Sequence, residues 1–193
     1  MKNKLIVLPL LMLLTLVNVN TFAQNKKKKK GEIELVLPTF EMKEGKVVYS
    51  GVVDQAGVTP EELHKRCLIW FNAFYKNPNG VIKENVANQK IKGKAKIPLF
   101  LTDAKTGTNT RSGLMQYTIE IGLKDGKYRY NITRINKKSQ SFVGIEKLIA
   151  DNEKEYKMAY VSYMIQTDKY MKDLIVNLKK SMASSTEKKS DDW

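Results

Sequence analysis

The chain has 193 residues, enough for one domain with tails and for an ordinary buried core. At 42% hydrophobic and 28% charged residues, its composition argues against wholesale disorder. The 34 Lys and Arg against 20 Asp and Glu give a net charge of +14. That surplus favours anionic surfaces such as phosphate, sulfated or uronic polymers, or lipid headgroups, and singles out none of them.

Lys2 and Lys4 precede an apolar run over 5–17, and Thr21-Phe22-Ala23 supplies the small residues a signal peptidase reads. The run stops at Asn18 and Asn20, short of the roughly 20 residues that span a membrane. Residues 1–23 therefore read as a cleaved signal peptide. With no cysteine near the cut, the product is expected to be exported, periplasmic or secreted, not lipidated, and without a transmembrane span after cleavage. Residues 24–36 form a lysine-rich lead, expected to stay extended because like charges repel. Ile33, Leu35 and Leu37 alternate into a weak strand that ends at Pro38.

The single domain is expected over 37–182. Residues 46–54 (KVVYSGVVD) are apolar on both parities, as in an interior strand. Over 59–76, Thr59 and Glu62 make a capping box with Pro60 at the first helical position. Leu63, Cys67, Trp70 and Phe74 then recur at helical spacing, so this helix needs a sheet to cover. Cys67 lies on that stripe and reads as a small core hydrophobe. Asn77-Pro78-Asn79-Gly80 ends the helix in a turn.

Residues 81–88 are a poorly patterned strand. The next is clear: Lys90, Lys92, Lys94 and Lys96 fall on one face, with Ile91, Gly93, Ala95 and Ile97 on the other. A polar loop over 102–113 leads to a strand over 114–124 with Met115, Tyr117, Ile119, Ile121 and Leu123 on the buried parity. Asp125-Gly126 reads as a tight primed turn into a strand over 127–136. Tyr128, Tyr130 and Ile132 fall on one face of that strand, Arg129 on the other, and Arg134 shares the tyrosine parity, at a rim. The period then changes to a short helical piece over 144–151 and a long amphipathic helix over 153–182. At thirty residues that helix overhangs a small sheet, so its end frays or meets a partner. Residues 183–193 are expected to be a flexible tail.

The predicted fold is α+β: a curved antiparallel sheet of about five strands with two helices on one face, in the order β-α-β-β-β-β-α. The run KVVYSGVVD, the capped helix ending in IWFNAFYK and the Ile/Gly/Lys-rich strands that follow resemble a secreted bacterial domain-of-unknown-function family. That family is described as having a TATA-binding-protein-like (TBP-like) fold, and the likeness covers roughly 46–178. It implies a fold and an exported address. It carries over no reaction, ligand or catalytic residue, and the name refers to shape, which does not license DNA binding.

No catalytic or metal constellation is legible. His64 and Cys67 are the sole residues of their kinds, too few for a transition-metal site. Thr102-Asp103 and Asp151-Asn152-Glu153 are too sparse for calcium. Gly107 and Gly113 do not open a helix, as a phosphate loop requires, and no nucleophile elbow occurs. Glu84, Asp103, Glu120 and Asp125 are the only acids over 81–138, against thirteen Lys and Arg. Asn131-Ile132-Thr133 fits the glycosylation triplet by chance, lying in a strand of a chain with a bacterial-style signal. The expectation is a non-catalytic binding protein without cofactor. Its candidate residues for an anionic partner are Lys90, Lys92, Lys94, Lys96, Lys124 and Arg129. An envelope polymer, a lipid headgroup or an acidic protein qualifies; nucleic acid is disfavoured because export removes it. Lysines that merely keep an open sheet soluble and block edge pairing explain the same charge. The alternative function is a structural or assembly module docking through its C-terminal helix or a sheet edge.

Overall fold

The computed structural model describes residues 37–103, 105–138, 140–154 and 157–184. All lie within one unit, Leu35–Trp193. The signal peptide, the lysine-rich lead and nearly all of the tail lie outside the described residues.

A two-stranded ribbon, β1 (Met42–Lys43) and β2 (Lys46–Val47), comes first. Its connecting residues Glu44 and Gly45 both have positive φ, 50° and 69°, so the primed turn of this fold is here. After Val48 comes β3 (Tyr49–Asp54), and then α1 (Pro60–Phe74), where the Thr59 hydroxyl accepts the Glu62 N–H at 3.3 Å. The Glu62 carboxylate accepts from Arg66 Nε at 2.8 Å. The four turn formers do more than turn: Asn77 caps a single helical turn, α2 (Pro78–Val81), by accepting the Gly80 N–H.

Next come β4 (Ile82–Val86), β5 (Lys90–Thr102), β6 (Asn109–Lys124), β7 (Lys127–Lys138) and β8 (Phe142–Gly144), followed by α3 (Ile145–Lys154) and α4 (Met158–Ala183). The main sheet has the order β3-β7-β6-β5-β4, with β8 also on β7, and every pairing is antiparallel. The fold is thus the expected α+β class.

Several expectations change in detail. The strand over 46–54 is not interior: β3 pairs only with β7 and forms an edge. Its two apolar parities arise because the segment breaks at Val48. Val47 is buried, its N–H donating to Glu146 Oε1 of α3 at 2.9 Å, whereas Val52 is 63% exposed on the open face. Half of the polar stretch over 102–113 is strand, since β5 runs to Thr102 and β6 begins at Asn109, and the two are paired from Lys90↔Gly122 to Thr102↔Asn109. At Asp125-Gly126 only Gly126 is left-handed (φ 65°), so the turn is not primed. Gly126 accepts from the Gln55 N–H and donates to the Val58 carbonyl, so the segment between β3 and α1 fixes this turn.

Three register breaks interrupt the ladders. The one in β7 inserts Arg134 (φ 53°) between Thr133 and Ile135, which resets the parity. Ile132 and Ile135 are therefore both fully buried while Arg134 is exposed, and simple alternation mistakes its side. Pro98 lies in β5 past the end of β4, where a missing N–H costs no ladder bond. Two residues on, the Gln166 amide of α4 accepts the Phe100 N–H (3.0 Å) and donates to its carbonyl (2.7 Å), closing that edge.

Both C-terminal helices occur, but the boundary between them lies later than expected, with α3 running to Lys154 and the long helix starting at Met158. Asn152 accepts the Lys157 N–H, and α4 starts fresh at Met158. At about 1.5 Å per residue α4 is ~39 Å long, whereas sixteen-residue β6 runs ~53 Å at about 3.3 Å per residue. Nothing overhangs. Buried residues run from Val161 to Met182, and Arg66 Nη1 of α1 donates to the Met182 carbonyl at 3.0 Å.

The core lies between this helical layer and one sheet face: Leu63, Cys67, Trp70 and Phe71 from α1, Met171, Leu174 and Leu178 from α4, and Ile91, Ile97, Leu99, Ile119 and Ile121 from the strands. At Gly93 a Cβ would stand 2.9 Å from Phe71 Cε1 of α1 and 3.1 Å from Val81 Cγ1 of α2. Gly93→Val is expected to cost about 1–3 kcal/mol by overpacking, measured by urea denaturation. A variant as stable as the parent would mean that α1 does not seat there.

Candidate functional site

The opposite sheet face carries the lysines, as expected. Alternation turns Ile91, Gly93, Ala95 and Ile97 into the core and leaves Lys90 and Lys92 half-buried and Lys94 and Lys96 exposed. The pairing register gives the order across the strands: Val52, Arg129, Gly122 and Lys90 form one row; Ser50, Asn131, Glu120, Lys92 and Glu84 the next; Thr133, Thr118 and Lys94 a third. Gln116 and Thr118 share the open parity yet are only 7% exposed.

The six candidate cations do not act alike. Lys90 Nζ lies 2.8 Å from Glu84 Oε1 and Lys92 Nζ 3.5 Å from Glu120 Oε2. The Lys90 ammonium holds the Glu84 carboxyl below the usual carboxylate range, and Glu84 in turn raises Lys90. These two ion pairs are close to neutral. Two basic depressions lie on the face to either side of them.

The larger depression, about 640 Å³, has Gly122 in its floor and is lined by Val52, Lys90, Glu120, Lys124, Lys127 and Arg129, among others. The smaller, about 380 Å³, lies at the β4–β5 edge against Lys83, Lys94 and Lys96. Lys124, Lys127 and Arg129 make no ion pair among the described residues, although Asp54 faces Lys127 in register. Lys94 and Lys96 are likewise unpaired there. Sequence reasoning found Lys124 and Arg129 but missed Lys127 and Gly122. The Asp-Gly turn was the available signal, because it folds Lys127 back directly opposite Lys124.

Groups elsewhere have structural partners. His64 Nε2 hydrogen-bonds Asn85 Oδ1 at 2.6 Å. Cys67 is fully buried, and burial pushes its thiol pKa up, away from nucleophile chemistry. Asp103 accepts from the Lys105 and Thr106 amides and the Thr106 hydroxyl in the β5–β6 hairpin, which lowers its pKa. Asp168 accepts from Tyr49 Oη and Lys172 Nζ. No described helix is long and apolar enough to cross a membrane.

Two solved structures share this architecture. A TBP-like protein from Parabacteroides distasonis superposes with a TM-score of 0.60 at 19% identity, covering 75% of this chain and 97% of its own. A DUF4468 family protein from Bacteroides ovatus gives 0.61 at 16% identity, covering 77% and 94%. At such identities the likeness is one of fold. No curated protein matches the chain. The family described as "Domain of unknown function (DUF4468) with TBP-like fold" matches residues 49–138, from the first sheet strand through β7. That segment, which carries both basic depressions, is where the chain matches the DUF4468 family with TBP-like fold, and the two solved structures share its fold.

Proposed function

We propose that this is an exported, non-catalytic binding protein of the cell envelope that uses the open sheet face to hold an anionic partner. The observation that carries this reading is the set of cations without an ion pair among the described residues, Lys94, Lys96, Lys124, Lys127 and Arg129, on a face that no described helix covers. Solubility alone explains lysines at the β5 edge. It does not explain an arginine and two lysines gathered around a depression over the two central strands at their turn end. The signal-like start over 1–23 supports the envelope address. The helix arm of the assembly reading loses its motive, because the apolar stripe of α4 is buried within the chain as far as Met182, whereas β3 and β4 remain the sheet edges through which such a module would dock.

Heparin affinity against salt tests this. Lys26–Lys30 also attract polyanions, so the comparison is between the full chain and its Lys124→Glu/Arg129→Glu variant. The variant is expected to elute at lower salt, with the slope of log affinity against log salt reduced by roughly one per removed cation. Identical elution of the two chains would show that retention comes from the lysine run and that the sheet face does not bind.

A further inference from the structure

We propose that the depression over Gly122 is a site for a phosphoryl group, a compact tetrahedral dianion, held by Lys124, Lys127 and Arg129. The proposal rests on the anion-binding reading above and narrows it to one place and one chemistry.

Gly122 is the first reason. A glycine inside a strand weakens it by roughly 0.5–1 kcal/mol relative to alanine, so its presence calls for a cause. Backbone conformation is not that cause, because Gly122 is not among the left-handed residues. Packing is not the cause either: a Cβ there would meet nothing within 4 Å. Gly93, by contrast, is required by the Phe71 ring. A glycine that neither turn nor neighbour needs leaves a gap in the floor, and a gap there allows a ligand to approach the backbone.

The charges around the gap are the second reason. Lys124 and Lys127 stand opposite each other across the β6–β7 turn, and Arg129 is the register partner of Gly122 itself. Alternation puts all three on the face that bears the gap. The planar guanidinium matches two oxygens of a tetrahedral anion, while the two ammonium groups supply point charges at its sides. The nearest lining acid, Glu120, is engaged by Lys92. The edge depression offers lysines only.

The third reason concerns size. A linear polyanion running from Lys96 and Lys94 towards Lys124 must pass the Lys92–Glu120 and Lys90–Glu84 pairs, where two carboxylates offset two ammonium groups. The cationic surface is therefore interrupted, and the part around Gly122 suits one compact anion. Val52, 63% exposed on the same row, adds an apolar wall for whatever carries the phosphoryl group.

The test is a titration of the isotopically labelled full chain with inorganic phosphate at constant ionic strength, read by amide chemical shifts. Saturable shifts are expected at Gly122, Leu123 and Arg129, and not at Lys94 or Lys96. Gly122→Leu, whose Cβ would meet no atom within 4 Å, narrows the gap and should weaken phosphate binding at least tenfold. Vesicles of phosphatidylcholine with and without phosphatidic acid separate the sources. Binding that requires phosphatidic acid and is displaced by phosphate assigns the group to a lipid headgroup; phosphate binding without vesicle binding assigns it to a soluble phosphoester. Unsaturated shifts spread over all lysines, or a Gly122→Leu chain that titrates like the parent, would overturn the proposal. If heparin retention still depends on Arg129 in that case, the broader anion-binding reading survives; if it does not, both fall.

Discussion

Replacing Trp70 with alanine is expected to lower the stability of the domain by about 3–5 kcal/mol, the range for deleting a buried large aromatic. Trp70 is 1% exposed and stands at the junction of α1, α4 and the sheet. Its ring stacks on Phe74 at 5.2 Å and meets Phe71 and Tyr75 edge-on at 4.9 and 5.7 Å. Its Nε1 donates to Asn177 Oδ1 of α4 at 2.9 Å. Removal leaves a cavity among three aromatic side chains and frees an amide at the helix interface. At about 2–4 °C per kcal/mol the midpoint should fall by roughly 6–20 °C, followed by circular dichroism on heating. Trp70→Phe keeps most of the ring contact and loses the hydrogen bond, so about 1–2 kcal/mol is expected. A Trp70→Ala chain within about 1 kcal/mol of the parent would mean that the two helices do not share this core.

Alkaline pH is expected to unfold the protein within about two pH units above 10. Tyr117 and Tyr128 are almost fully buried, and burial pushes both phenols up, Tyr128 to about 12 and Tyr117 further, where the neighbouring Tyr75 and Tyr170 hydroxyls add to the effect. Burial also raises the Cys67 thiol. In each case the folded state prefers the neutral form. Below the ordinary pKa both states are neutral and the contribution is fully present. Above it the unfolded chain ionises first, and stability is lost until the folded pKa is reached. Each group removes about 1.4 kcal/mol per pH unit in that window, so the three together remove about 4. Set against a typical 5–15 kcal/mol, the fall is steep.

Tyr128→Phe isolates one contribution, since the Tyr128 hydroxyl has no hydrogen-bond partner among the described residues. That variant should be as stable as the parent or more stable at neutral pH, and should lose less stability above pH 10. Tyrosinate absorbance and far-ultraviolet dichroism, followed together, read both quantities. Titration of all tyrosines near pH 10 with the fold intact would contradict the burial on which this rests.

The primary structure alone determined much of the architecture, and it did so where side-chain period and burial coincide. The period of two over 90–101 and 114–124 put every lysine of β5 on one face and every core residue of β6 on the other, because a strand has only two sides. The Thr59 cap and the stripe from Leu63 to Phe74 located α1 nearly to the residue, because capping and amphipathicity are local.

What required the folded chain was everything that depends on distant partners. The polar residues of the β5–β6 hairpin are strand because two long neighbours zip together, not because of their own propensity. The bulge at Arg134 resets a parity that alternation would have continued, and a long β6 gives α4 a surface as long as itself. The cationic site shows the same division. Composition supplied the charge, but only the register of β7 against β6 brought Lys127, Lys124 and Arg129 around Gly122, and only cross-strand pairing neutralised Lys90 and Lys92. Charge is a property of residues. A site is a property of which residues the strands bring together.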